Sequence, residues 1–288
     1  MSEIVIAGVG YVGTRLAELL TSQGHSVFGL RRSPAPTTAS YRPLTADLTQ
    51  AASLRGCLPS ATTHLVFAAG PDNSTDADYQ RVYVQGLSNL LSAAQDLPRL
   101  QRIALVSSTS VFAQSAGEWV TETSPTLPEH FSGRRVLEAE ALLSEAPCSS
   151  TILRCAGIYG PGRTRLIDSV REGRATFDPE NPVYTNRIHR DDVARAVAHL
   201  LFRPQVNALY LGVDTAPSPD GEVFTWLAHQ MSAPVPLQAP SSATPEGRRS
   251  GSNKRCSSAS LVATGFEFTF PTFREGYAAM LAGAPSSA

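Results

Sequence analysis

An α/β fold, doubly wound around a mostly parallel sheet with helices on both faces and a small C-terminal substrate lobe, is the class that this 288-residue sequence predicts. Three observations predict it. Short apolar runs alternate with amphipathic helix patterns through the first two thirds of the chain. Runs such as HLVFAA (64–69) and IALV (103–106) are continuous rather than alternating, as strands buried on both faces require. The first apolar run leads straight into glycines at Gly8, Gly10 and Gly13, and then into a helix pattern.

The elements follow in order. Ile4 to Ala7 opens the first strand, expected over 3–8, and the helix over 11–23 carries Leu16, Leu19 and Leu20 on one face before stopping at Gly24. Further strands are expected near 26–30, 41–44, 64–69, 102–107 and 150–154, with helices near 50–56, 76–96, 132–146 and 163–172 between them. Beyond residue 155 the pattern loosens, and 157–190 and 214–275 are richer in Gly, Pro and Ser. Within that part, 191–203 reads as a helix capped by Asp191 or Asp192, and 208–213 as a strand returning to the sheet. The expected division is a dinucleotide-binding core over 1–155, continued by 188–213, and a smaller substrate lobe from 156–187 and 214–288. The run 238–252 is expected to be a mobile loop or a lid.

Composition sets the outer bounds. The 24 basic and 25 acidic residues nearly cancel, which removes the usual electrostatic footprint of a nucleic-acid binder. Cys57, Cys148, Cys155 and Cys256 are scattered without metal-site spacing, so no metal and no disulfide framework is expected. With no charged-apolar leader and no membrane-length apolar run, the expectation is a soluble, cytoplasmic protein, monomer or homodimer, acting on a small molecule.

The glycine motif carries the first functional commitment. Gly8 permits a tight turn, Gly10 removes a side chain that would block a pyrophosphate, and Gly13 lets the helix lie close to the sheet. Tyr11 and Val12 open that helix, whose first N–H groups would face the phosphates. Such a Rossmann-type site distinguishes its cofactors at the end of the second strand, where an acidic residue suits NAD and a basic one suits the 2′-phosphate of NADP. Here stand Arg31 and Arg32, with no acidic residue between Glu18 and Asp47. NADP is therefore the expected cofactor, with NAD as the alternative.

Taken together, several segments resemble the extended short-chain dehydrogenase/reductase family, the NAD(P)-dependent epimerase/dehydratase group. They are the glycine motif, VQGLSNLLSAA (84–94), VSSTSVF (106–112), RCAGIYGPG (154–162) and IHRDDVARAV (188–197). SGRRVLE (132–138) and FTFPTFREGY (268–277) echo its atypical YeeZ-like branch. The resemblance implies that Asp47 and Leu48 contact the adenine, that Ala68, Ala69 and Gly70 lie beside the cofactor with Ser107, and that Ser108, with Thr109 and Ser110 next to it, holds the substrate oxygen.

The family's chemistry also uses a tyrosine four residues before a lysine, and those places hold Ser132 and Val136. A serine supplies no phenolate near neutral pH, and a valine supplies neither charge nor hydrogen bond. Other groups then come into question: the phenols of Tyr159 and Tyr184, the imidazoles of His130 and His189, and the charges of Arg134 and Arg135. Tyr159 stands out because it follows a strand at the carboxyl edge, where open α/β sheets bind ligands. Two readings stay open: an NADP-dependent oxidoreductase with a non-standard proton donor, acting on a small carbonyl or hydroxyl compound or a nucleotide sugar, and a catalytically inactive NADP(H) sensor.

Overall fold

The computed structural model describes residues 1–238 and 253–283. The loop expected over 238–252 therefore lies, beyond Gln238, outside the described residues. Seven strands form one sheet: β1 (Glu3–Ala7), β2 (Ser26–Arg31), β3 (Arg42–Thr45), β4 (His64–Phe67), β5 (Arg102–Ser108), β6 (Ser149–Cys155) and β7 (Leu209–Gly212). Their spatial order is β7-β6-β5-β4-β1-β2-β3, and the ladders from β6 across to β3 are parallel. The chain winds outward from β1 to β3 and then returns to β4 on the other side of β1. This reversal leaves a crevice beyond the carboxyl ends of β1 and β4, the place where open α/β sheets take ligands.

Burial explains the sequence pattern. Ile4, Val5, Ile6 and Ala7 are fully buried, as are Leu65, Val66 and Phe67, because helices cover both faces. Helix α1 (Tyr11–Ser22) turns Val12, Leu16, Ala17 and Leu20 inward, while Leu19, expected on that face, is only half-buried. The edge strand β3 contains Pro43, which lacks an N–H and is tolerated where one side of the strand is unpaired. The helix expected over 76–96 is interrupted: an α-turn at Asp76–Tyr79 passes into a π-helical segment, Gln80–Gln85, before α2 (Gly86–Ala94). Helix α3 (Phe131–Leu142) follows β5, and α4 (Arg190–Phe202) precedes β7.

A buried ionic group ties three of these elements together. Glu140 of α3 receives Arg154 of β6 through Nη2 at 2.6 Å and Nε at 3.0 Å, and Ser107 of β5 donates its hydroxyl to Glu140 at 2.5 Å. Arg102, at the opposite end of β5, donates to the carbonyls of Leu200, Leu201 and Arg203, closing the C-terminus of α4.

The chain divides into two compact units. The first comprises Met1–Phe112, Pro125–Cys155 and Val193–Tyr210; the second comprises Ala113–Ser124, Ala156–Asp192 and the chain from Leu211. The segment 113–124, expected in the core, falls to the second unit because Trp119–Val120 pairs with Arg255–Cys256. Also in the second unit, Gly157–Tyr159 pairs in parallel with Arg187–His189, and α5 (Asp220–Met231) and α6 (Phe273–Leu281) enclose a core of Tyr159, Ile167, Val170, Val223, Leu227, Phe273 and Tyr277. Among the described residues no helix is long and apolar enough to cross a membrane.

Candidate functional site

Backbone geometry builds the first unit's crevice. Gly8 has φ of +102°, and a Cβ there would run into the backbone of Ala68 and Ala69. A Cβ on Gly13 would strike the carbonyl oxygen of Gly8 and, at 3.2 Å, the side chain of Ile6, so strand and helix approach as closely as two glycines allow. A Cβ on Gly10 would meet nothing within 4 Å and would project into open space. No side chain caps the N-terminus of α1 and no acidic residue occupies its first turn, which leaves the positive end of the helix uncompensated for an anion.

A cavity of about 340 Å³ lies against this turn. Its walls bring together Gly8, Gly10, Arg31, Arg32, Asp47, Leu48, Ala68, Ala69 and Gly70, with Val9, Asp72 and Val82 among the others. Tyr11 starts α1, and Val12 and Gly13 are buried in its first turn. Arg31 reaches Ser33 Oγ at 3.2 Å and Tyr41 Oη at 3.4 Å, whereas Arg32 forms an exposed ion pair with Asp72 at 2.7 Å. Asp47 accepts from the backbone and hydroxyl of Thr49, and Asn89 Nδ2 holds the carbonyl of Leu48 at 2.8 Å.

The end of β5 and the start of α3 hold Ser107, Ser108, Ser132 and Val136. Ser108 Oγ accepts the N–H of Ser110 at 3.1 Å, so it caps the short 3₁₀ turn Thr109–Val111. Ser107 is buried and engaged by Glu140 rather than open to the cavity. Helix α3 presses onto this turn, since a Cβ on Gly133 would collide with the carbonyl of Ser110. Ser132 and Val136 are both buried in α3, and Ser132 Oγ lies 2.8 Å from His130 Nδ1, the ring that caps the helix. Arg135 is committed to Asp76 and Glu138, and Arg134 donates to the carbonyl of Glu129. The chain has a single lysine, Lys254, which belongs to the second unit.

Sequence reasoning overlooked two phenols here. A row of rings runs from Phe67 to Tyr83, Tyr79, Phe131 and His130, with successive centroids 6.4, 5.4, 5.5 and 4.1 Å apart. Tyr83 sits in the π-helical segment, its hydroxyl 3.8 Å from where a Cβ on Gly70 would stand. Burial pushes its phenol up to about 12. The available signal was the four-residue spacing of Tyr79 and Tyr83 in the helix after β4, which puts both on one helix face.

In the second unit, Tyr159 packs in the core with its ring 4.6 Å from Tyr277 and 5.3 Å from His189. Its hydroxyl has no hydrogen-bond partner among the described residues, and burial, then the nearby Asp214, raises its pKa above the usual phenol range. A raised pKa opposes use as a base. His189 is buried, accepts the N–H of Asp191 at 3.2 Å and packs against the tilted ring of Phe270. Tyr184 lies under the guanidinium of Arg255, 4.7 Å from its ring centre.

Comparison with known proteins adds the following. Residues 4–209 match the model of the NAD dependent epimerase/dehydratase family. Protein YeeZ of Escherichia coli K12 is 30% identical over 225 residues, 73% of this chain and 77% of that one. A 4-hydroxy-2-methyl-3-oxo-4-farnesyl-3,4-dihydroquinoline-1-oxide ketoreductase of Stigmatella aurantiaca is 28% identical over 234 residues, covering 75% and 69%. A structure from Methylobacillus flagellatus, described as a candidate NAD-dependent epimerase/dehydratase, is 39% identical, covers 98% of both chains and superposes with a TM-score of 0.81.

Proposed function

Because the chain belongs to the NAD-dependent epimerase/dehydratase family, we propose that it is an NADP-dependent reductase of a small carbonyl compound that works without the family's Tyr–Lys pair. The observation that carries this reading is the open space at Gly10 beside an uncapped, positive helix end. A diphosphate would lie there, held by the first N–H groups of α1. Arg31 and Arg32, on the wall of the same cavity, suit a 2′-phosphate, and their existing partners are weak competitors for it: two neutral hydroxyls and one exposed carboxylate. The bound nicotinamide would supply hydride.

The remaining chemistry belongs to the protein. Ser108 uses its hydroxyl oxygen to accept the Ser110 N–H, which fixes the side chain and leaves its own proton for a substrate oxygen. Tyr83 is the proton donor in this reading. With a pKa near 12 its phenol stays protonated at neutral pH, so it gives a proton to a forming alkoxide far more readily than it removes one from an alcohol. The ketoreductase among the relatives supports the same class of reaction, and nucleotide-linked keto sugars belong among the substrates tried.

A second reading, an NADP(H) sensor without turnover, draws on one observation: the first unit contains no lysine to lower a phenol's pKa. Mixing the purified protein with NADPH and a panel of carbonyl compounds, keto sugar nucleotides included, separates the two. The reductase reading expects loss of nicotinamide absorbance with at least one compound, and a fall in kcat of roughly 100- to 10,000-fold for Tyr83→Phe. Saturable NADPH binding with no turnover across the panel establishes the sensor instead.

A further inference from the structure

Of the two arginines on the first unit's cavity, only Arg32 carries a counter-ion. Arg31 bonds the neutral hydroxyls of Ser33 and Tyr41 and has no acidic partner among the described residues. Arg32 Nη2 lies 2.7 Å from Asp72 Oδ2. Asp72 raises the pKa of that guanidinium, first through the hydrogen bond and then by its charge, and Asp47 adds to this more weakly by charge alone. Asp47 spends its Oδ1 on Thr49, whose backbone N–H and hydroxyl both donate to it.

The sheet order gives the Arg32–Asp72 pair its meaning. β1 runs between β2 and β4, Arg32 directly follows β2, and Asp72 stands on the chain leaving β4, which ends at Phe67. The backbone holds both flanks against β1: Gly8 donates to the carbonyl of Leu30 at 3.1 Å on one side, and Ala68 to that of Ala7 at 2.9 Å on the other. Adjacent strands lie about 4.8 Å apart, so β2 and β4 are separated by about 10 Å, a gap that one long and one short side chain bridge end to end. The ion pair thus links the two flanks across the end of β1, where the glycine turn begins. Both residues line the same cavity as Gly8 and Gly10. With 60% and 67% of their side chains exposed, both are reachable from solvent and the link opens at little cost.

The geometry points to Asp72 as a residue that sets coenzyme choice: it holds Arg32 in a strap across the crevice, and the 2′-phosphate of NADP must take Arg32 from it. This inference rests on the reading of the cavity as a dinucleotide site served by Arg31 and Arg32. A phosphate monoester carries about −1.5 to −2 charge near pH 7 and presents three acceptor oxygens, so it outcompetes one exposed carboxylate for the guanidinium. NADH presents only hydroxyls at that place and leaves the strap closed. Asp72 therefore lowers affinity for NADPH without lowering it for NADH, while Arg31 meets the phosphate with no acid to displace.

The test is the ratio of the NADH to the NADPH dissociation constant, measured by fluorescence titration at fixed ionic strength. It uses the full-length wild type, Asp72→Asn, Arg32→Ala and the double variant. Asp72→Asn keeps the size and polarity of an exposed side chain and should fold as the wild type does. Its ratio should rise about 3-fold through tighter NADPH binding, the size expected from releasing one exposed ion pair. In the Arg32→Ala background the same substitution should leave the ratio unchanged, because no guanidinium remains to be released. An unchanged or lower ratio in Asp72→Asn, a rise owed only to weaker NADH, or an equal rise with and without Arg32 each overturns the strap. Saturable NADPH binding beside any of those results leaves the cofactor reading standing, whereas a wild type that binds neither coenzyme overturns both.

Discussion

Arg31, the last residue of β2, and Arg32, the next along the chain, both line the cavity beside Gly8 and Gly10, and each is only loosely engaged. The Arg32–Asp72 pair is exposed at both ends, 60% and 67%, where such a pair contributes little and yields easily to a phosphate. Replacing both arginines with alanine should weaken NADP by roughly 100-fold, the equivalent of about 2.7 kcal/mol, and NAD by less than about 3-fold. Fluorescence titration with each reduced coenzyme measures this, and equal losses would mean that neither arginine meets a 2′-phosphate. The glycines and arginines of this cavity were legible because the motif constrains the backbone within thirty residues of sequence. Asp72 was not, since it reaches Arg32 across forty residues. The burial of Tyr159 was hidden for the same reason: its packing partner Tyr277 lies far along the chain.

Helix α3 is held to β5 and β6 by Glu140, which accepts from Ser107 and from two nitrogens of Arg154. Both members of the ion pair are buried, 5% and 7% exposed in their side chains. Removing one partner leaves the other charge stranded, so Glu140→Ala should lower unfolding free energy by about 3 to 5 kcal/mol, read from the urea midpoint. A loss under about 1 kcal/mol would show that water or another group reaches Arg154. At this scale the sequence was legible wherever apolar spacing was local, as in β1, α1, β4 and β5. It did not disclose the π-helical segment Gln80–Gln85, because one wider turn scarcely disturbs the periodicity of a long helix, yet that segment carries Tyr83. Nor did it reveal that 113–124 joins the second unit, a placement set by pairing with Arg255–Cys256 and visible in no composition window.

The whole molecule comprises a parallel-sheet unit with a cavity of about 340 Å³ at its glycine turn and a second unit whose cleft is rich in arginine. The first rests on the Gly8-Gly10-Gly13 turn, and every functional reading advanced for this chain needs a dinucleotide there. Titration of the full-length protein with NADPH, beside Gly10→Val, tests that claim most directly. The wild type should bind saturably and gain about 2.7 kcal/mol of stability when NADPH stands at 100 times its Kd. Gly10→Val should melt at the temperature of the free wild type and show no saturable signal, because the added branches project into the space now open at Gly10. No saturable signal from the wild type, or unchanged binding by the variant, would contradict the account.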